Sequence, residues 1–111
     1  MNHETRPAVM TGGTLEEAER LVMGDRQSSY SHPAQDFRTT GRQWGALIEN
    51  WLLAEHPGVL KDDVMPDIAP RLVALMMAAL KASREAQKPH RDNRVDGPGY
   101  WLCSDRIIED Y

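Results

Sequence analysis

An all-α chain folded as a bundle of about four helices is what this sequence specifies, and three observations lead there. Apolar residues recur at three- and four-residue spacings along most of the chain. Most of the prolines fall at the edges of those apolar runs, where helices start and stop. No stretch alternates apolar and polar residues in the manner of a half-buried strand.

Residues 1–13, with Pro7, Gly12 and Gly13, read as a loose N-terminal arm, and residues 14–111 as one domain. The first helix is expected at about 14–26. Thr14 stands three residues before Glu17, a capping-box spacing in which each side chain satisfies an otherwise unpaired backbone N–H. Leu15, Ala18, Leu21 and Val22 follow at helical spacing, and Gly24 weakens the end. The second helix starts at Pro33, a proline in the first turn, and stops before Pro57-Gly58. Its residues Phe37, Trp44, Leu47, Ile48, Trp51 and Leu52 make one broad apolar face. The two tryptophans, seven apart, suit a core or a subunit interface better than a platform for stacking a base.

Asp67 is the expected N-cap of the third helix, with Pro70 in its first turn. From Leu72 to Leu80 that helix is apolar nearly all round. In a chain this small, such a helix is either central or shared between two subunits, so a homodimer is expected. The last segment is interrupted by Gly97, Pro98 and Gly99. A turn or short broken helix is expected at 91–97, with Asp96 as the cap of a main helix from about 97 to the end. That helix would bury Trp101, Leu102 and either Ile107 or Ile108.

With 111 residues, 41% of them hydrophobic, the chain has material for one core. A formal net charge of -4 argues against generic binding of duplex DNA, and no basic recognition helix is present. A single cysteine, Cys103, excludes an intramolecular disulfide and the usual zinc thiolates, which suits a reducing cytosol. No apolar run reaches the roughly 20 residues of a membrane span, and no signal peptide is evident.

Two stretches carry candidate chemistry. In "KASREAQKPHRDNRVDGPGY", Lys81 and Arg84 sit one turn apart, where they complement the negative end of the third helix or clamp a phosphate. Asp92 and Asp96, four apart, are hard oxygen ligands for a shared Mg2+ if the intervening turn is helical; otherwise Asp96 caps and Asp92 pairs with Arg91 or Arg94. In "GDRQSSYSHPAQDF", Asp25, Arg26, Tyr30, His32 and Asp36 crowd a loop between helices. His32 caps the second helix, contacts a phosphate, or acts as a general acid/base. Glu16, Glu17 and Glu19 form a third acidic group, which early in a helix needs no ligand to explain it.

Taken in order, "LEEAERLVMGDRQSSYSHPAQDF", "LVALMMAALKASR" and "RDNRVDGPGY" resemble a small domain family of unknown function found mostly in phages and prophages. That family's pattern runs roughly G-D-R-x-x-x-Y-G-x-P-x-x-N-F, then an apolar helix ending K-x-x-R, then D-N-x-x-D-x-x-G-Y. The likeness spans about residues 14 to 104. Ser31 replaces a glycine of the pattern, Asp36 an asparagine, and Pro98 a helix former. The family is in turn distantly similar to MazG-like all-α nucleoside triphosphate pyrophosphohydrolases, which dimerise and hold Mg2+ with E-x-x-E and E-x-x-D motifs. Glu16 with Glu19 fits the first loosely, and Asp92 with Asp96 fits the second only at another spacing.

The resemblance implies a phage-encoded protein in the cytoplasm of the bacterial host that handles a nucleotide or other phosphate-bearing ligand. Arg26, Tyr30, Lys81, Arg84, Asn93 and Tyr100 would bind the ligand, Asp92 and Asp96 would hold Mg2+, and His32 would be the catalytic group. The alternative is a non-enzymatic protein that sequesters a nucleotide or binds a host protein. The latter would expose an apolar patch around Trp44, Trp51 or Trp101.

Overall fold

A computed structural model of the chain describes residues 13–25 and 32–110. Those residues form helices and their connections, with no strand among them. Helix α1 is Thr14–Glu19 and continues as a π-helical segment, Arg20–Asp25. Helix α2 is Pro33–Glu55, α3 is Pro70–Gln87 and α4 is Arg91–Asp110. The expected all-α architecture is present. The N-terminal arm expected at 1–13 lies, apart from Gly13, outside the described residues.

The centre of the fold is the hairpin of α3 and α4. Helix α1 packs against α4, and α2 packs mainly against α3. Small residues make the close approaches. On α2, Gly41 and Gly45 are both buried, and the chain returning toward α3 lies directly on them. The Ile68 N–H donates to the Gly41 carbonyl at 3.1 Å. A Cβ on Gly41 would run into the Ile68 carbonyl oxygen, and one on Gly45 would come within 2.9 Å of the Pro66 carbonyl oxygen. Only glycine lets a backbone lie this near a helix. The Met65 N–H also donates to Glu49 Oε1 at 3.0 Å, so the return segment follows α2 over two turns.

The helix starts differ from expectation in three places. Gly13, not Thr14, precedes the first helical residue, and its N–H donates to Glu16 Oε1 at 3.3 Å. The shift of one residue releases Glu17 from the cap. Helix α3 is preceded by Ala69 instead of Asp67, with Pro70 at its first position. Asp67 lies 3.8 Å from Arg42 instead. Helix α4 is continuous across the sequence expected to break it. Its start is fixed by His90, whose Nδ1 accepts from the Asp92 N–H at 3.2 Å, so Asp96 has no capping to do. Pro98 sits inside the helix, where its missing N–H leaves the Arg94 carbonyl without its usual partner.

Gly97 and Gly99 flank that proline and are buried. A Cβ on Gly97 would lie 3.6 Å from the Lys81 side chain of α3, and one on Gly99 would lie 3.5 Å from Val22 of the π segment. The glycines that read as interruptions are therefore the points where α4 meets its two neighbours. The Arg106 guanidinium donates to the Val22 carbonyl at 3.3 Å, giving the π segment a second tie to α4.

Among the described residues the core is mostly alanine and valine. Ala18, Val22, Ala34, Ile68, Val73, Ala74, Ala78, Val95 and Ile107 are buried. Trp101 was expected in this core and is instead 60% exposed, while Ile107 is buried and Ile108 is not. On α4, Val95, Gly99 and Ile107 face inward, which turns Trp101 and Ile108, seven apart, to another side. No helix of the described residues is long and apolar enough to cross a membrane.

Replacing Gly41 by alanine should destabilise the fold by about 1–3 kcal/mol, the usual cost of forcing atoms into an occupied space. Gly24→Ala, with nothing within 4 Å of the new Cβ, should stay near neutral. Urea denaturation of the two variants side by side checks the contrast.

Candidate functional site

The first candidate stretch, Lys81 to Tyr100, becomes the end of α3, a tight turn and the first half of α4. Pro89 prevents α3 from continuing, and Glu85 on its last turn organises the reversal. Glu85 Oε1 accepts from the His90 N–H at 2.9 Å and from the Asn93 side-chain amide at 3.3 Å. Its other oxygen accepts from the Arg94 guanidinium at 2.7 Å. The His90 N–H foremost, and the Arg94 guanidinium next, hold the Glu85 carboxyl below its ordinary pKa.

One turn further into the hairpin, Lys81 Nζ lies 3.2 Å from Asp96 Oδ2, and the lysine side chain is only 15% exposed. At the other side of α4, Arg91 NH2 lies 3.3 Å from Glu17 Oε2 and ties α1 to the hairpin. The candidate ligand groups are thus brought together, but largely to one another. Lys81 meets Asp96, and Asn93 meets Glu85. Asp92 points to solvent with its side chain 77% exposed, 3.8 Å from His90. Arg84 is exposed and forms no ion pair among the described residues. Tyr100 is half-buried with its ring centroid 6.2 Å from that of Phe37.

His32 stands at the N-terminus of α2, its Nδ1 accepting from the Ala34 N–H at 3.0 Å. That is the capping role among those the sequence allowed. Arg26 and Tyr30 lie outside the described residues, as does Ser31.

As they stand, these residues do not fit a magnesium site. Of the two aspartates read as ligands, Asp96 is taken up by Lys81 and only Asp92 is left open. Glu16 reaches back to the Gly13 N–H and Glu17 to Arg91. No three His, Cys, Asp or Glu side chains converge among the described residues.

Two clefts adjoin these elements. Between the π segment and α4, Leu21, Val22, Val95, Asp96, Tyr100 and Cys103 line a space of about 100 Å³. Ligand pockets for small molecules run to about 300–1,000 Å³, so this one, as lined by the described residues, suits a few waters better than a nucleotide. The larger cleft, about 360 Å³, lies where α2, α3 and α4 meet. Ala34 and Ile107 are buried among its apolar lining, Ile108 is exposed, and Arg38 and Arg71 flank it. Neither guanidinium forms an ion pair among the described residues. The sequence reading missed this cleft because its residues come from three helices and form no motif.

Comparison with known proteins adds a family. Residues 13–108 match the family described as "Domain of unknown function (DUF6378)". The chain belongs to this family. It is also 29% identical over 101 residues to the "Gene 55 protein" of Mycobacterium phage D29. That match covers 91% of this chain and 57% of the relative, so the chain spans little more than half of the phage protein's length. No solved structure matches. The family and the phage relative agree with the resemblance read from the sequence at that level.

The hairpin contacts give two expected outcomes. The folded-state pKa of Glu85 lies below the unfolded one, so its contribution to stability is present above about 4.5 and is lost as pH falls through the lower, folded value. Glu85→Gln should therefore be less stable than wild type at pH 7, with the gap narrowing below pH 4, as read from denaturation midpoints at both. Asp96→Asn should destabilise by an amount between the roughly 0–1 kcal/mol of exposed pairs and the roughly 3–5 kcal/mol of buried ones. The measurement is the same denaturation series at pH 7.

Proposed function

We propose that this chain acts by binding another protein, without catalysis, through the surface that α4 presents at Trp101 and Ile108. The observation that carries the reading is the exposure of those two side chains, 60% and 61%, where no aromatic residue is buried among the described residues. Tryptophan in water beside another large apolar residue is the composition of an interface anchor. Ile108 also borders the 360 Å³ cleft flanked by Arg38 and Arg71. An apolar floor between two guanidiniums suits a partner segment that carries acidic groups beside apolar ones.

The involvement of Lys81, Asp96, Asn93 and Glu85 in holding the hairpin supports the same reading, since these groups have a structural use. One relative is a phage protein, and phages multiply inside bacteria, so a host protein in the bacterial cytoplasm is the partner class we favour.

A second reading keeps the phosphate-bearing ligand. Arg84 favours it, being an exposed guanidinium beside Lys81 at the end of α3. In that reading the protein sequesters a nucleotide, and the open Asp92 carboxylate together with Asp96 would have to be recruited for any Mg2+-dependent pyrophosphohydrolase chemistry.

An acidic amphipathic helical peptide built from Leu, Ile and Glu serves as the probe, with its Lys-for-Glu counterpart as control. The acidic peptide should bind, the basic one should not. Trp101→Ala and the Arg38→Glu, Arg71→Glu pair should each weaken binding at least about tenfold, as anchor losses do. A thermal-shift panel of nucleotides with and without Mg2+ runs beside it. A shift that needs both a triphosphate and Mg2+ and vanishes in Asp96→Asn overturns the reading in favour of the enzyme. A metal-independent nucleotide shift favours sequestration.

A further inference from the structure

From Ala46 to Asp67 the chain contains no buried residue. This stretch is the far half of α2, the turn after it, and the segment that returns to α3. Leu47, Trp51, Val59 and Val64 are each more than half exposed in it. Its tip carries Asp62 at φ 57° and Asp63 at φ 57°, left-handed conformations that cost free energy in residues other than glycine. Beyond its own turn hydrogen bonds, its ties are the Met65 N–H on Glu49, the contact of Gly45 with Pro66, the Trp51 ring against His56 at 5.1 Å and the exposed Arg42–Asp67 pair. Helical order in such a segment normally comes from burying one face against something else.

A matching surface lies elsewhere on the same chain. Helix α3 turns Val73, Ala74 and Ala78 inward and leaves Leu72, Met76 and Leu80 about two-fifths exposed, one every four residues along one stripe. Arg84 continues that stripe. The charges are complementary. The projecting arm carries Glu49, Glu55, Asp62, Asp63 and Asp67 against Lys61, whereas α3 and its cap carry Arg71, Arg84 and Lys88 besides the paired Lys81 and Glu85.

We infer that the arm is an interface with a second copy of this chain: the Leu47–Trp51 face of one protomer lies on the Leu72–Met76–Leu80 stripe of the other. A second copy is favoured over a foreign partner because it supplies this basic, apolar stripe itself. Two-fold symmetry makes the contact twice, and like-charged arms never have to pair with each other. The arrangement leaves Trp101 and Ile108 uncovered and shares only Arg71 with the cleft proposed above, so the variants that test it avoid Arg71.

Light scattering on the full chain reads the mass, and circular dichroism confirms that each variant keeps its helix content. Wild type should show twice the single-chain mass at micromolar concentration. Trp51→Glu and Met76→Glu, both at exposed positions, should each shift it to the single-chain mass, and Trp101→Glu should not. Charge reversal identifies the pairing. Glu55→Lys with Asp62→Lys reverses the arm, and Arg84→Glu with Lys88→Glu reverses the stripe. Each set alone should weaken the dimer at least about tenfold. Mixing the two sets should restore it, because both contacts of the mixed dimer then match. A wild-type chain of single mass overturns the inference. So does a dimer that survives Trp51→Glu, or one that the stripe reversal leaves intact, as arm-on-arm pairing would.

Discussion

The reversal between α3 and α4 rests on one carboxylate. Glu85 accepts from the first backbone N–H beyond the turn that is free to donate to it and from two side chains of the next helix, and so fixes where α4 begins. Everything else follows from that start. It sets the register that brings Asp96 to Lys81, Gly97 to the flank of α3 and Gly99 to the π segment. It also places Arg91 where Glu17 can reach it. With the hairpin in place, α1 has a partner in α4 and α2 has one in α3. Because the described core is mostly alanine and valine, with Ile68 and Ile107, these polar ties carry a larger share of the specificity than they would in a chain with a leucine-filled interior.

A cation, an amide and two aspartates at helical spacings can mark a phosphate site or a helix junction, and the same chemistry serves both. Charge-assisted hydrogen bonds hold a ligand or hold a turn according to what lies within reach. Here Glu85 and Asp96 lie within reach, and neither belongs to the K-x-x-R segment that drew attention to the cations. What separates the two uses is a neighbour on another helix, which no spacing along one helix reveals.

The helices themselves were legible because proline and apolar periodicity are local signals. Pro33 and Pro70 open helices where the sequence places them, and the stop after Glu55 precedes Pro57-Gly58 as expected. The caps were less legible. Thr14, Asp67 and Asp96 have the right chemistry, yet Gly13, Ala69 and His90 take the positions, because the side-chain oxygens found other partners or the helix had already begun. Gly97-Pro98-Gly99 misled for a related reason. Read locally it breaks a helix, and in three dimensions it is the narrow waist that lets two other elements approach. The Arg38–Arg71 cleft had no local signal at all, since it exists only where three helices meet.

The π segment between Arg20 and Asp25 has a consequence for how related chains line up. A π turn is a helix carrying one residue more than a regular turn needs, held here with Arg106 on the Val22 carbonyl and Val22 against α4. A relative lacking one residue in this stretch would close into an ordinary α-helix, and its side chains before and after the gap would keep their faces. The residue at the position of Arg106 would then have no widened carbonyl to reach and no reason to remain arginine. A single-residue gap there, paired with a change at that one distant position, is the trace this geometry would leave among sequences.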